Sequence, residues 1–566
     1  MHTTCLLPLL ALTGSTLAAV VTYDWSIDWV TASPDGFSRP VIGVNGEWPC
    51  PLMEADVGDT VIVHLKNNLG NETTGLHFHG IRQYGSPEMD GPVAATQCSV
   101  PPGSEITYQF DANSPGTYWY HSHEMGQYPD GFRGPLIVHD PEDPYNGEVD
   151  EEVILTVSDW YHSQSIPLVQ NMLQPSNTQF IPPFPDSIIV NEGGNSSIKV
   201  EKGKTYRVRV INFSALASAM INFKDHNMKI VMQDASYITP ASAETIRVAP
   251  AQRYDVLISV GRNDTGNYPF LVALDINADY NNPSATPLPI TWNYNITGYL
   301  VTDPSTSTTS TDIVNVFDVV DDSAFTNADN QGPFGPVTQT IRLDFNFCFD
   351  NNSIPRACFN GKPYVDQDVP TLYSVATTGH YNTNPVIYGQ TNPQIVEKGA
   401  IVELVVNNLD VALHPFHLHG HQFQVIERPA SGAGKWPGTT TPSANPASKD
   451  TVVVNGDSYA VIRFEADNPG VWLFHCHIEW HVEMGLTATI IEGPEELRGF
   501  EIPQDHIDIC KIQNSPYKGN AAGNTVDFTN TTGMKFVNPS IYSGALWEPT
   551  ATPTPKLRSR TVRRKV

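Results

Sequence analysis

Short runs in which hydrophobic and polar residues alternate recur along the chain. Three of them follow a turn glycine in the same way: Gly58-Asp59-Thr60-Val61-Ile62-Val63-His64-Leu65-Lys66-Asn67-Asn68, Gly203-Lys204-Thr205-Tyr206-Arg207-Val208-Arg209-Val210-Ile211-Asn212 and Gly399-Ala400-Ile401-Val402-Glu403-Leu404-Val405-Val406-Asn407-Asn408. A period of two places successive side chains on opposite faces, so each run predicts a strand of a sheet with a buried face. A second pattern follows, as Pro115-Gly116-Thr117-Tyr118-Trp119-Tyr120 in the first copy and Pro469-Gly470-Val471-Trp472-Leu473-Phe474 in the third, with Thr265-Gly266-Asn267-Tyr268 a weaker counterpart in the second. Units of about 130–160 residues with short strands and few helical patterns predict an all-β chain of three consecutive Greek-key β-sandwiches. The turn-rich Asp140-Pro141-Glu142-Asp143-Pro144 and the Ser/Thr/Asp-rich stretch from Asp303 to Asp329 separate them. The expected modules are 20–145, 146–305 and 335–495, with a C-terminal extension over 496–566.

Superposing the copies locates the candidate chemistry. His77-Phe78-His79-Gly80 matches His417-Leu418-His419-Gly420, and His121-Ser122-His123 matches His475-Cys476-His477. With 18 histidines in 566 residues fewer than one His-x-His pair is expected by chance, and these aligned motifs alone supply four. On the strand entering Phe474-His475-Cys476-His477-Ile478-Glu479-Trp480-His481, Cys476 faces one way while His475 and His477 face the other, roughly 7 Å apart. A thiolate with two imidazoles suits a trigonal, electron-transferring copper, and His481 is placed to supply one of them. Where the third copy has His414, Cys476 and His481, the first has Thr74, Ser122 and Gln127, so only the third can build that centre. The middle copy lacks a His-x-His pair and is expected to act as a spacer and to wall part of a substrate pocket. Eight histidines suit three further metal ions, two with three imidazoles each and one with two. One plus three coppers hold four electrons, the number that reduces O₂ to water.

Composition narrows the setting. The net charge of −28 argues against nucleic acid as a partner. The run Leu6-Leu7-Pro8-Leu9-Leu10-Ala11-Leu12 before Ser15-Thr16-Leu17-Ala18-Ala19 reads as a secretory signal peptide over 1–19. Sequons at Asn71, Asn195, Asn212, Asn263, Asn295, Asn351 and Asn530 fit a glycosylated protein of the extracellular space or cell wall, some of them buried. No later apolar run reaches a membrane-spanning length. A monomer is expected, and the basic end from Lys556 to Val566 reads as a disordered or trimmed tail. Of seven cysteines the leader removes Cys5. Cys348 and Cys358 are near enough to close a small loop, Cys98 and Cys510 can staple the first module to the extension, and Cys50 is left over, although sequence alone leaves the connectivity open.

From about residue 22 to 495 the four histidine motifs resemble those of multicopper oxidases, among them fungal laccases and fungal ferroxidases. The resemblance implies cupredoxin-like modules and four copper ions. The type 1 ion would be held by His414, Cys476 and His481, and one type 2 and two type 3 ions by His77, His79, His121, His123, His417, His419, His475 and His477. It places Leu486 at the axial position as a non-ligand, which should raise the type 1 potential, and leaves Met484 to core packing. Asp90 and Glu479 match acidic positions that pass protons or orient a histidine, and His421 matches a position behind the ligands.

The electron donor divides the two branches. Asp410 matches a carboxylate with which ferroxidases bind Fe²⁺, but a second carboxylate position falls at Pro182, a tyrosine position at Arg356, and no membrane anchor is evident. Asp186 matches the acid with which some fungal laccases accept a phenol, beside His481. The expectation is therefore a secreted, laccase-like oxidase of small phenolic donors, such as pigment precursors, with O₂ as acceptor. A ferroxidase is the alternative, and a non-catalytic copper carrier a remote one.

Overall fold

The computed structural model describes residues 18–194, 196–263, 266–275, 294–306 and 318–536; most of the expected leader and the basic tail lie outside them. The predicted repeat is visible as strand topology. Each turn glycine opens a strand, Thr60–Asn67, Thr205–Asn212 or Ile401–Asn408. Each of these runs parallel to an earlier strand of its own module, respectively Val20–Ala32, Glu151–Trp160 and Gln339–Phe349. Its other neighbour is antiparallel: Glu105–Asp111, Arg253–Ser259 or Ser458–Glu465. Parallel neighbours need a long crossover, and here the chain makes it by passing through the opposite sheet.

The opposite sheets repeat as well. Leu76–His79, Gly116–Ser122 and Arg133–His139 are adjacent in the first, Ser218–Phe223, Tyr268–Asp275 and Asn295–Val301 in the second, and His414–Leu418, Gly470–Cys476 and Thr487–Glu492 in the third. Four strands face four in the first sandwich, and six face five in the other two. Alternation is clean in Thr60–Asn67. Thr205–Asn212 and Ile401–Asn408 are buried on both faces.

The asparagine that ends each repeated strand does the same work in each module. Asn67 Nδ2 donates to the carbonyls of Glu72 and Val100, Asn212 Nδ2 to those of Ala217 and Val248, and Asn408 Nδ2 to those of Ala412 and Asn455. Such bonds tie the loop to the sheet where a buried backbone acceptor would otherwise go unpaired. They also remove Asn212 from the glycosylatable set, since it is fully buried.

One hydrophobic core belongs to the middle sandwich. The core of the third runs without a break into Trp119 and Tyr128 of the first and Tyr161, Phe213 and Leu216 of the second. The first module's core takes in Leu497, Ile509 and Cys510 of the C-terminal extension, whose helix Gln504–Ile512 lies on Glu105–Asp111. Cys98 and Cys510 are disulfide-bonded, as are Cys348 and Cys358, while Cys50 and Cys476 are buried and, among the described residues, in no disulfide. Among the described residues no helix is long and apolar enough to cross a membrane.

Candidate metal centre

Strand register brings the histidines together within each outer module. His77 lies opposite His121, and His417 opposite His475, in antiparallel pairs. The second histidine of three motifs, His123, His419 and His477, stands just past its strand, and His481 sits on the short helix Glu479–Glu483. Packing of the first sandwich against the third then merges the two sets. The His77 ring stacks on His419 at 4.0 Å, and His79 on His417 at 3.8 Å. Gly80 permits the close packing between modules, and Gly420 the packing of its own motif on Trp472. A Cβ on Gly80 would lie 2.6 Å from Arg253 Nη2, and one on Gly420 2.3 Å from the Trp472 ring, and both residues have positive φ.

Two groups of three imidazoles result, His79 with His121 and His477, and His123 with His419 and His475, the ligand atoms of each group lying within 4.8 Å of one another. His77 and His417 form a further group with His79. All eight histidines of the four motifs thus fall in three groups, with His79 shared by two of them.

Hydrogen bonds fix which nitrogen faces inward. Backbone carbonyls accept from Nδ1 of His77 (Asp90, 2.8 Å), His417 (Asp450, 2.8 Å), His121 (Ser122, 2.9 Å) and His475 (Cys476, 2.8 Å), and a carbonyl accepts only from N–H. Their Nε2 atoms therefore carry lone pairs. Asp90 Oδ2 accepts from His419 Nδ1 at 2.8 Å, and Asp450 Oδ1 from His79 Nε2 at 3.4 Å. Burial first, and then the neighbouring imidazoles, hold His79, His121, His123, His417, His419 and His477 well below the ordinary histidine value; burial brings His475 to about 4. Neutral imidazoles are what a metal ion requires.

The site fits cations. His419 Nε2 and His475 Nε2 are 3.0 Å apart with their protons on the other nitrogen, so two lone pairs face each other. His77 Nε2, His79 Nδ1, His121 Nε2, His417 Nε2 and both nitrogens of His477 are buried without a hydrogen-bond partner. Buried orphans at this density are costly unless an ion completes them.

On the opposite face of the same strand Cys476 Sγ lies 3.8 Å from His414 Nδ1 and 3.7 Å from His481 Nδ1. The backbone of Leu486 joins both, its carbonyl accepting from Cys476 N and its N–H donating to the carbonyl of His481. Met484 and Leu486 are fully buried. Asp410 Oδ2 accepts from His414 Nε2 at 3.0 Å with its side chain 21% exposed, and the ring of Phe347 lies 5.3 Å from that of His481. In the first module the equivalent space is closed by hydrogen bonds. Thr74 and Ser122 both donate to Gln127 Oε1, at 2.7 and 2.8 Å, and Gln127 Nε2 donates to Glu72.

The remaining candidates are less central. Glu479 is buried beside a cavity of about 200 Å³ that it borders with His123, Glu124 and Glu483. His421 Nε2 donates to Glu492 at 2.6 Å. Asp186 is exposed in a turn, where its carboxylate accepts the His162 N–H at 2.7 Å. Arg356 is committed to Asp350. Sequence reading passed over Asp450 and Arg253, because neither belongs to a histidine motif and their partners lie in other modules.

A three-sandwich chain whose single Cys-His-His centre adjoins, through one strand, an eight-histidine cluster at the contact of its outer modules defines a copper protein built for electron relay. Models of the family described as Multicopper oxidase match residues 26–143, 151–292 and 364–496. The chain is 46% identical over 527 residues to the iron transport multicopper oxidase fetC of Epichloe festucae (strain E2368), spanning 91% of this chain and 83% of the relative. It is 35% identical over 539 residues to the iron transport multicopper oxidase FET3 of Saccharomyces cerevisiae, spanning 92% and 84%. Among solved structures it is similar to Fet3p, a multicopper oxidase that functions in iron import (TM-score 0.86, 34% identity, 92% of this chain and 99% of that one). It is also similar to the laccase from Botrytis aclada (TM-score 0.76, 26% identity, 88% and 92%). The chain belongs to the multicopper oxidase family, whose members carry one type 1, one type 2 and two type 3 coppers.

The comparisons correct one expectation. The expectation of a laccase-like oxidase of phenolic donors rests on Asp186, yet the fetC and FET3 relatives and the Fet3p structure are iron transport oxidases, and the Botrytis aclada laccase is less similar to this chain than they are. Asp186 does not separate the branches, because an exposed acid five residues before Asn191 looks alike whether it meets a donor or only accepts a backbone N–H. The absence of side-chain oxygens at Pro182 and Arg356 does not outweigh that similarity.

Proposed function

We propose that the protein is a secreted ferroxidase, oxidising Fe²⁺ with O₂ in the balance 4 Fe²⁺ + O₂ + 4 H⁺ → 4 Fe³⁺ + 2 H₂O. The observation that carries the reading is Asp410, a partly exposed carboxylate hydrogen-bonded to His414 in a chain close to iron transport oxidases. When bound, the type 1 ion accepts single electrons and the other three deliver four to O₂.

The chain's own groups divide the remaining work. Asp410 offers Fe²⁺ an oxygen ligand, and its bond to His414 gives the electron a contiguous entry toward the Cys476 sulfur. Pro182 and Arg356 bring no side-chain oxygen, so of these three positions Asp410 is the one that offers a carboxylate. His475 and His477, on either side of Cys476, each enter a different imidazole group. Burial and then the charge of Glu483 push the Glu479 carboxyl well up, which favours its protonated form beside the cavity at His123. Asp90 orients His419.

The test is turnover of Fe²⁺ and of a simple diphenol by one copper-loaded preparation. The expected result is a kcat/KM for Fe²⁺ at least roughly tenfold the higher, falling about tenfold or more in Asp410→Ala while the diphenol changes little. A preference for the diphenol, or equal losses on both donors, would overturn the reading.

A further inference from the structure

Two aspartates occupy equivalent places around the histidine cluster, and each serves both outer modules. The carbonyl of Asp90 accepts from His77 of its own module while its carboxylate accepts from His419 of the other. The carbonyl of Asp450 likewise accepts from His417 of its own module while its carboxylate reaches back to His79.

Their surroundings differ. Asp90 Oδ1 has no hydrogen-bond partner. Asp450 is gripped by a guanidinium from the middle module, Arg253 Nη1 donating to Oδ1 at 2.8 Å and Nη2 to Oδ2 at 2.6 Å. Besides its arginine, the Asp450 carboxylate accepts from Thr451 Oγ1 at 2.9 Å and Gln422 Nε2 at 3.2 Å. Arg253 is itself fixed from all three modules. Its Nε donates to the carbonyl of Thr117, its Nη1 to that of Ala251, and its backbone N–H to Asp234. Asp234 also accepts the N–H of Thr451, the residue after Asp450. No part of this group reaches solvent. A planar fork on a carboxylate fixes that carboxylate's plane as well as its position. The plane of Asp450 in turn sets the ring of His79, whose inward nitrogen is Nδ1, unlike that of His77 or His417.

We infer that Arg253 is a positioning residue for the copper cluster: through Asp450 it fixes the ring of His79 and the backbone that holds His417, so the middle module determines the geometry of a site to which it gives no ligand. This goes beyond the proposed ferroxidase activity and is independent of the donor. Groups that orient metal-binding histidines are worth about 10–100-fold in metal affinity.

Arg253→Lys and Arg253→Leu, each in the full copper-loaded chain, test it. The blue thiolate-to-copper band reports the Cys476 centre and serves as an internal control for folding. With that band retained, the expected result is a perturbed type 2 electron paramagnetic resonance signal and loss of cluster copper at about 10–100-fold lower chelator concentration than in the parent, larger in the leucine variant. Four retained coppers and an unchanged type 2 signal would overturn the inference. If the leucine variant fails to accumulate, Arg253→Lys decides alone. It keeps the charge between Asp234 and Asp450 and loses only the planar fork, so an unaltered type 2 signal in it removes the role.

Discussion

Gln127 stands in the first module where His481 stands in the third, and its amide joins Thr74, Ser122 and Glu72 in one buried set. Replacing three ligands with three mutually bonded side chains keeps the volume filled and the polar atoms paired, whereas losing one ligand alone would leave orphans. Glu72 gains less. Burial and then the charge of Asp130 raise its carboxyl to about 7, against the hydrogen bonds from Gln127 and Asn71. A raised carboxyl stabilises the fold fully below its unfolded value, and that stability is lost as pH climbs through the folded value. The Tm of Glu72→Gln relative to the parent should therefore rise between about pH 4.5 and 7 and level off above, by an amount corresponding to roughly 3 kcal/mol at most. A difference that stays constant across that range would remove the linkage.

At the level of elements, the strand Gly470–Cys476 explains why one stretch of sequence disclosed so much. Period-two geometry is local, so opposite facing of Cys476 and its flanking histidines follows from the residues alone. Cys476→Ser should remove the blue band and oxidation of either donor while three of four coppers remain, which metal analysis and absorbance together would check. The four aligned His-x-His pairs and the replaced Thr74, Ser122 and Gln127 set were legible in the same way, because superposed repeats carry them. Asp450 and Arg253 were not, since their meaning arises from a contact spanning 197 positions of chain. The donor was illegible for another reason: Asp186 and Asp410 are each a single acid near a turn, and only the second is hydrogen-bonded to a histidine beside Cys476.

For the molecule as a whole, the C-terminal extension is structural rather than trailing. The Cys98–Cys510 bond joins positions 412 apart, and Leu497 and Ile509 enter the first module's core. Cys510→Ser should lower stability by about 2–5 kcal/mol and expose residues 496–536 to protease sooner than the sandwiches, seen as a discrete truncated product. Uniform digestion would show the extension to be held without it. The exchange of carboxylates between Asp90 and Asp450 has its own result at this scale. Separated, each outer module would keep its carbonyl-bound imidazoles but leave one, His79 or His419, without the carboxylate that orients it, so full metallation can follow only once the ends of the polypeptide have met, and copper content becomes a readout of completed assembly.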